Sequence, residues 1–325
     1  MSICDNCKAY QHYSLFGEPW WLDAVAGPGG WDEVRVDSGG RLQARLPYVS
    51  RRRKGLTILG MPPLSQHLGP WFLSSNARHS SELARHKDLV EELVGKLPRH
   101  HMFRQNFHHQ VYNWLPWYWR DFEQTTLYTY IFNDLSSEGN MWDGLQSNIR
   151  SDIRKARNRF NLSVQMDLGP DMLLQVCRKT FKRQKRQGLK ESVVRRIYDA
   201  CEKRGSGKAF FAVDDKKRVH ATAYLVWDER AAYYLLGGGD PVLRNSGAHS
   251  LVLWEAVKHA SRVSRTFDLE GSMIEPVERF FRAFGARQTP YHRVTRINNR
   301  WLRAGYHVSC AFKSLMGLRS MNMRL

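Results

Sequence analysis

The chain has 325 residues, 42% of them hydrophobic, which exceeds one ordinary core and sets an expectation of two domains of about 150 residues each. Fifty Lys and Arg against 31 Asp and Glu give a formal net charge of +19, far enough from neutrality to point to polyanionic partners such as nucleic acid, nucleotide phosphates, phospholipid headgroups or lipid-linked pyrophosphates. No apolar run reaches the roughly 18 residues of a membrane span and no secretion-signal core opens the chain, so the expected compartment is cytoplasmic and reducing. The one close cysteine pair, Cys4 and Cys7, lacks the second pair of a structural zinc site; Cys177, Cys201 and Cys310 are scattered, and no metal is expected.

In chain order, Glu18-Pro19 opens a short helix that Gly27-Pro28-Gly29-Gly30 ends. Strands at Val34–Val36 and Leu42–Val49 follow around Ser38-Gly39-Gly40, with Arg51–Lys54 at a strand end. The stretch from Met61-Pro62-Pro63-Leu64 to Gly69-Pro70-Trp71-Phe72 has too much proline for a strand or helix and is predicted as an ordered loop. Leu83, Val90, Leu93, Val94 and Leu97 recur at roughly helical spacing and predict an amphipathic helix over Ser80–Lys96. Phe103–Phe107 and Thr125–Phe132 read as strands, and the Trp- and Tyr-rich residues 109–122 between them as core or groove wall.

A helix from Trp142 to Arg159 is expected to divide the halves, with Leu145, Ile149, Ile153, Ala156 and Phe160 as its apolar stripe. Arg150, Arg154 and Arg157 align on another face; three like charges repel one another and either stand apart in solvent or become favourable when a phosphate-bearing partner binds. The resulting division is residues 1–140, an interdomain helix at 141–160, and residues 161–325. The second half predicts helices at Pro170–Lys185 and Glu191–Lys203, and strands at Ala209–Val213 and Val219–Trp227. Each half thus passes from helix to hairpin, further sheet and more helix, a mixed α/β (α+β) duplication without a residue-level repeat.

Residues 231–286 carry the chemistry. A strand (Ala231–Leu236) enters the turn Gly237-Gly238-Gly239-Asp240 and the loop Arg244-Asn245-Ser246-Gly247-Ala248. A helix, a strand at Phe267–Glu270 and another helix follow. A glycine-rich turn feeding a helix N-terminus offers unpaired N–H groups to an anion, with His249 as a further donor. Aminolysis of an ester or thioester needs a proton acceptor beside the amine, and Asp268 and Glu270, two apart on a strand, are the candidates. Either can instead serve an Arg pair or a helix cap. Phe280, Phe281 and Phe284 read as core. After Glu278 there is no acid, and Trp301–Leu325 mixes apolar and basic residues, as does a segment that lies on an anionic membrane or one that packs as a terminal helix.

Leu236–Asp240, Ser246–Trp254, Phe267-Asp268-Leu269-Glu270-Gly271-Ser272 and Val277–Gly285 resemble the C-terminal half of the Fem-type peptidyltransferases and their broad Gcn5-type (GNAT) N-acyltransferase relatives. Pro19-Trp20-Trp21-Leu22, Pro47-Tyr48, Pro62-Pro63-Leu64 with Gly69-Pro70-Trp71, and Asn148-Ile149-Arg150 through Lys155-Ala156 extend the likeness over most of residues 15–295. The resemblance implies tandem GNAT-like domains with a cleft between them, and acyl or aminoacyl transfer to an amine in cell-envelope or polysaccharide assembly. It implies no tightly bound cofactor. The donor is aminoacyl-tRNA or acyl-CoA, and the acceptor an amine-bearing sugar or peptide precursor, lipid-linked at the inner face of the membrane in one form of this reading.

Gly238, Gly239, Arg244, Asn245, Ser246, Gly247, Ala248 and His249 are then the donor-binding candidates. Ala248 stands where a CoA-type loop carries glycine, and the charge of +19 suits tRNA. The alternative is a catalytically silent protein of the same fold that holds RNA or docks on a membrane.

Overall fold

The computed structural model describes residues 13–166, 168–183, 190–299 and 302–305. These form two compact units: one holds residues up to Gly17, Ala26–Leu127 and those from Tyr291 onward, the other Glu18–Val25 and Tyr128–Pro290. Cys4, Cys7, Cys310 and nearly all of the basic tail lie outside the described residues.

The chain opens with α1 (Pro19–Ala26), then β1 (Asp32–Ser38), β2 (Arg41–Arg53), β3 (Leu56–Gly60) and β4 (Trp71–Phe72). There follow α2 (His79–Lys96), β5 (Met102–Asn106), α3 (Leu115–Tyr118) and β6 (Glu123–Phe132). In the first unit β1, β2 and β3 pair antiparallel, β3 pairs β5 in parallel, and β5 pairs antiparallel with β12 (Arg287–Ile297). Arg51–Arg53 end β2, as the sequence predicts, and pair with Leu56–Ile58 through a turn at Lys54 and Gly55, both left-handed. The core under this sheet gathers Leu46, Leu59, Phe103, Phe107, Val294 and the fully buried Trp117.

The second unit continues with α4 (Glu138–Gly144), α5 (Ser147–Asn158), β7 (Ser163–Gln165), α6 (Gly169–Arg183) and α7 (Glu191–Glu202). Then come β8 (Gly207–Val213), β9 (Val219–Trp227), β10 (Ala231–Gly239), α8 (Ala248–Val263), β11 (Thr266–Asp268) and α9 (Glu275–Arg282). The helix predicted over Trp142–Arg159 is two helices. Leu145 and Gln146 are extended, and the Gln146 N–H leaves the helical ladder to donate to the Ala283 carbonyl at 2.9 Å. Ile149, Ile153 and Ala156 of α5 are buried in the core of this unit with α8.

The unit's sheet order is β6-β11-β10-β9-β8-β7. Only β10 and β11 are parallel, and they pair over just Ala231–Tyr233 and Thr266–Asp268. Beyond that point β10 stays on β9 as far as the Gly239–Ala221 pair, while the Leu269 N–H donates to Tyr130 of β6 at 2.9 Å. The two parallel strands therefore part immediately after Tyr233 and Asp268, and a fork at the carboxyl ends of parallel strands is where α/β sheets place ligands.

Candidate active site

Two expectations about this region change. Gly237, Gly238 and Gly239 are not a turn but the last residues of β10, paired with Ala223, Thr222 and Ala221. They are glycines because side chains crowd them. A Cβ on Gly237 would lie 1.8 Å from the Tyr234 hydroxyl oxygen, and one on Gly238 would lie 2.5 Å from Thr180 Oγ1. Thr180 also closes the strand end, its hydroxyl meeting the Gly239 N–H at 2.9 Å and the Gly239 carbonyl at 3.1 Å. Nor is Phe267–Glu270 one strand: β11 stops at Asp268, and Glu270 adopts a left-handed backbone with φ +52°. Strand alternation therefore does not set the relation between Asp268 and Glu270; a turn does.

Hydrogen bonds fix that turn. Asp268, 3% exposed, accepts from the Thr129 hydroxyl and, at 2.7 Å, from the Glu270 N–H. Thr129 in turn accepts the Gly271 N–H at 3.0 Å. Gly271 fits closely against β6, since a Cβ there would be 2.5 Å from the Tyr128 carbonyl oxygen. A glutamate held in a left-handed conformation costs free energy that the surroundings must offset, and such strain collects at functional sites.

The two carboxylates differ in what they accept. Asp268 is engaged by its neighbours. Glu270 Oε1 is buried and receives no hydrogen bond among the described residues. Burial, followed by the charge of Asp268, raises the Glu270 pKa well above the ordinary carboxylate range. An ionised Glu270 is thus a stronger base than a solvated glutamate, the property a general base needs.

Tyr234 and His249 complete the surroundings. The Tyr234 hydroxyl and His249 Nε2 are 3.0 Å apart, and Phe280 packs against the His249 ring at 5.1 Å. Burial, with a contribution from Arg183, pushes His249 down to about 4, so its ring is neutral at working pH and brings no cationic grip on a phosphate. Burial raises Tyr234, with further upward contributions from Cys177 and from Glu270. Burial also pushes the Cys177 thiol up to about 12 and Cys201 up to about 11, which leaves neither as a ready thiolate nucleophile.

The loop before α8 holds itself together. Arg244–Ser246 form a single 3-10 turn, and Gly247 is left-handed at φ +76°. A Cβ on Gly247 would lie 2.2 Å from the Asp152 carbonyl oxygen, so this glycine lets α5 approach. Ser246 is 1% exposed; its hydroxyl donates to the Leu243 carbonyl at 2.8 Å and meets His220 Nδ1 at 3.0 Å, while His220 Nε2 meets Asp214 at 3.1 Å. That chain has the residue types of a nucleophilic triad, but its hydroxyl is sealed from substrate and already donated, so it fastens the loop to the β8–β9 hairpin instead.

The arginine stripe of α5 is engaged locally. Arg150 donates to the Leu145 and Asp143 carbonyls at 2.7 and 3.0 Å and so caps α4, Arg154 lies 5.8 Å from the Trp142 ring centre, and Arg157 pairs with Glu255. Thr129 and Tyr234 were not marked by the sequence. Thr129 is 139 residues from its partner Asp268, and the only local hint at Tyr234 is the glycine three positions on. Thr129→Val is expected to cost about 1–3 kcal/mol by leaving buried polar groups unsatisfied. It should also lower turnover more than donor affinity, which paired thermal melts and steady-state kinetics will check.

Residues 145–282 match the acetyltransferase (GNAT) domain family. No curated protein matches the sequence. Among solved structures, FemX superimposes with a TM-score of 0.66 at 13% identity, over 90% of this chain and 96% of its own. The C-terminal domain of a putative lysylphosphatidylglycerol synthetase from Agrobacterium fabrum gives 0.55 at 14% identity, over 89% of this chain and 91% of that one. A tandem GNAT protein from the clavulanic acid biosynthesis pathway gives 0.51 at 12% identity, over 86% and 94%. Residues 145–282 are a GNAT-type acetyltransferase domain, and over most of its length the chain shares the fold of FemX and of the tandem GNAT protein.

Proposed function

We propose that the protein transfers an aminoacyl group from aminoacyl-tRNA to an amine of a cell-envelope or polysaccharide precursor, with Glu270 as proton acceptor and Asp268 as the residue that positions it. The observation that carries this reading is the buried, unpartnered Oε1 of Glu270 at the end of the parallel-strand fork. In the reaction the acceptor nitrogen attacks the donor ester carbonyl, a C–N bond forms, and Glu270 takes the proton that the nitrogen loses. The C–O bond to the ribose then breaks, and the proton passes from Glu270 to the departing ribose oxygen.

The choice of donor rests on α8. The helix N-terminus that would cradle the pyrophosphate of acyl-CoA is covered by α5, whose Asp152 carbonyl abuts Gly247 and whose carboxylate accepts from the Ser250 hydroxyl at 3.4 Å. A carboxylate at that position repels a second anion. The net charge of +19 favours a long polyanion over a small nucleotide. The name of the lysylphosphatidylglycerol synthetase neighbour supports aminoacyl cargo for this fold.

Binding of aminoacylated tRNA and of acetyl-CoA, each at two salt concentrations, tests the donor. The expected result is tRNA binding that weakens steeply with salt and is reduced by Arg154→Glu with Arg157→Glu, Arg150 being left to cap α4. Micromolar acetyl-CoA binding without tRNA binding would transfer the proposal to acyl-CoA. Binding of neither would favour a silent scaffold.

A further inference from the structure

A cavity lies in the second unit, away from the fork. It measures about 250 Å³ and is lined by Met166, Pro170, Tyr198, Glu202, Lys208 and Tyr224, together with Gly169 and Gly207. The strands that contribute to it are β8 and β9, so β10 separates them from β11 and Glu270 in the sheet. Nothing in the transfer reaction uses these residues.

The lining has three chemical elements. Tyr198 and Tyr224 stack, with ring centres 5.4 Å apart and planes 19° from parallel; Tyr224 is 1% exposed, so the aromatic surface open to a cation is that of the half-buried Tyr198. Glu202, an exposed residue, and the half-buried Lys208 line it with one charge of each sign. The N-terminal end of α6 enters at Gly169 and Pro170, where the helix dipole adds to the positive potential of Lys208. The lining depends on a glycine: a Cβ on Gly207 would stand 2.6 Å from both the Tyr224 hydroxyl oxygen and Cys201 Cβ.

Opposite charges on one small cavity with an aromatic wall suit a ligand that carries both charges itself. A carboxylate meets Lys208 and the α6 end, an ammonium group meets Glu202 and a tyrosine face, and the volume leaves room for a side chain of modest size. We propose that this cavity binds a small zwitterion of the free α-amino acid class, at a site distinct from that of acyl transfer. The inference does not depend on the donor or acceptor of the transfer reaction.

The test is a thermal-shift screen of the full chain against the standard α-amino acids, followed by calorimetric titration of the best stabiliser, its methyl ester and its N-acetyl derivative. The expected result is that one or more free amino acids bind and that both derivatives, each lacking one charge, bind at least about tenfold more weakly. Glu202→Gln, a surface change that leaves the fold intact, should weaken binding about tenfold, and Lys208→Met likewise. Glu270→Gln should leave it unchanged. Stabilisation by no amino acid, equal binding of the charge-deleted derivatives, or binding indifferent to both Glu202→Gln and Lys208→Met would overturn the proposal. Loss of binding in Glu270→Gln would move the ligand to the fork and overturn it as well.

Discussion

Glu270→Gln should cut turnover by roughly 10²-fold or more while raising, not lowering, the melting temperature at neutral pH. The first effect is the usual contribution of a positioned proton acceptor. The second follows from the absent partner at Oε1 and from burial, which together oppose ionisation of this carboxyl in the folded chain. Its pKa is raised on folding, so the protonated group's contribution to stability is fully present below the unfolded value of about 4 and is lost as pH rises through the folded value. The wild type and Glu270→Gln should therefore melt together in acid and separate as pH increases, with the variant the more stable. Melting curves from pH 4 upward, run beside the transfer assay, decide the matter. An activity loss accompanied by a lower melting temperature at neutral pH would make Glu270 a structural residue.

Gly247→Ala is expected to destabilise the chain by about 2–5 kcal/mol. A left-handed alanine costs about 1–2 kcal/mol, and a steric clash in a packed site about 1–3 kcal/mol more. The clash is with the Asp152 backbone at 2.2 Å, which cannot swing aside as a side-chain tip would. Gly205→Ala provides the control, because Gly205 is also left-handed, at φ +59°, but has open space around its Cβ position. That variant should cost only about 1–2 kcal/mol. Denaturant melts of the two proteins separate backbone conformation from close approach. Equal costs would mean that α5 yields at Asp152, and that the N-terminus of α8 is more open to a donor than its present packing implies.

Local patterning carried much of the fold into the sequence. Helical spacing predicted Ser80–Lys96 against the observed His79–Lys96, and Glu191–Lys203 against Glu191–Glu202. Strand alternation predicted Val219–Trp227, which is the observed β9. Where pairing partners are distant the signal failed. The segment Arg287–Ile297 contains Pro290 and three arginines, and pairing with strands distant in sequence, β5 among them, makes it a strand. Leu56–Gly60 is short enough to be hidden by the basic turn before it.

The site was half legible for a similar reason. Asp268 and Glu270 can be singled out by residue type and their place near a strand end. The left-handed backbone that gives them unequal roles comes from Thr129 and the close face of β6, which no local pattern encodes. The glycines of β10 were visible as a cluster, yet their crowding by Tyr234 and Thr180 arises only in the folded sheet. Likewise, the three aligned arginines of α5 were correctly placed on a helix, but their partners Leu145, Trp142 and Glu255 lie on other elements or loops.

The pairing of β5 with β12 also has a consequence for how the protein is made. Arg293 meets Asn106 across 187 residues of sequence, and Val294, completely buried, belongs to the core that Phe103 and Phe107 begin. While a ribosome is still translating the second unit, the first has most of its strands but lacks this one, and the edge of β5 stands open to wrong partners. The second unit has nearly all of its residues in one uninterrupted stretch and can fold as soon as it emerges. The half synthesised first is thus the half completed last, and its slow, non-local closure should set the overall rate of folding.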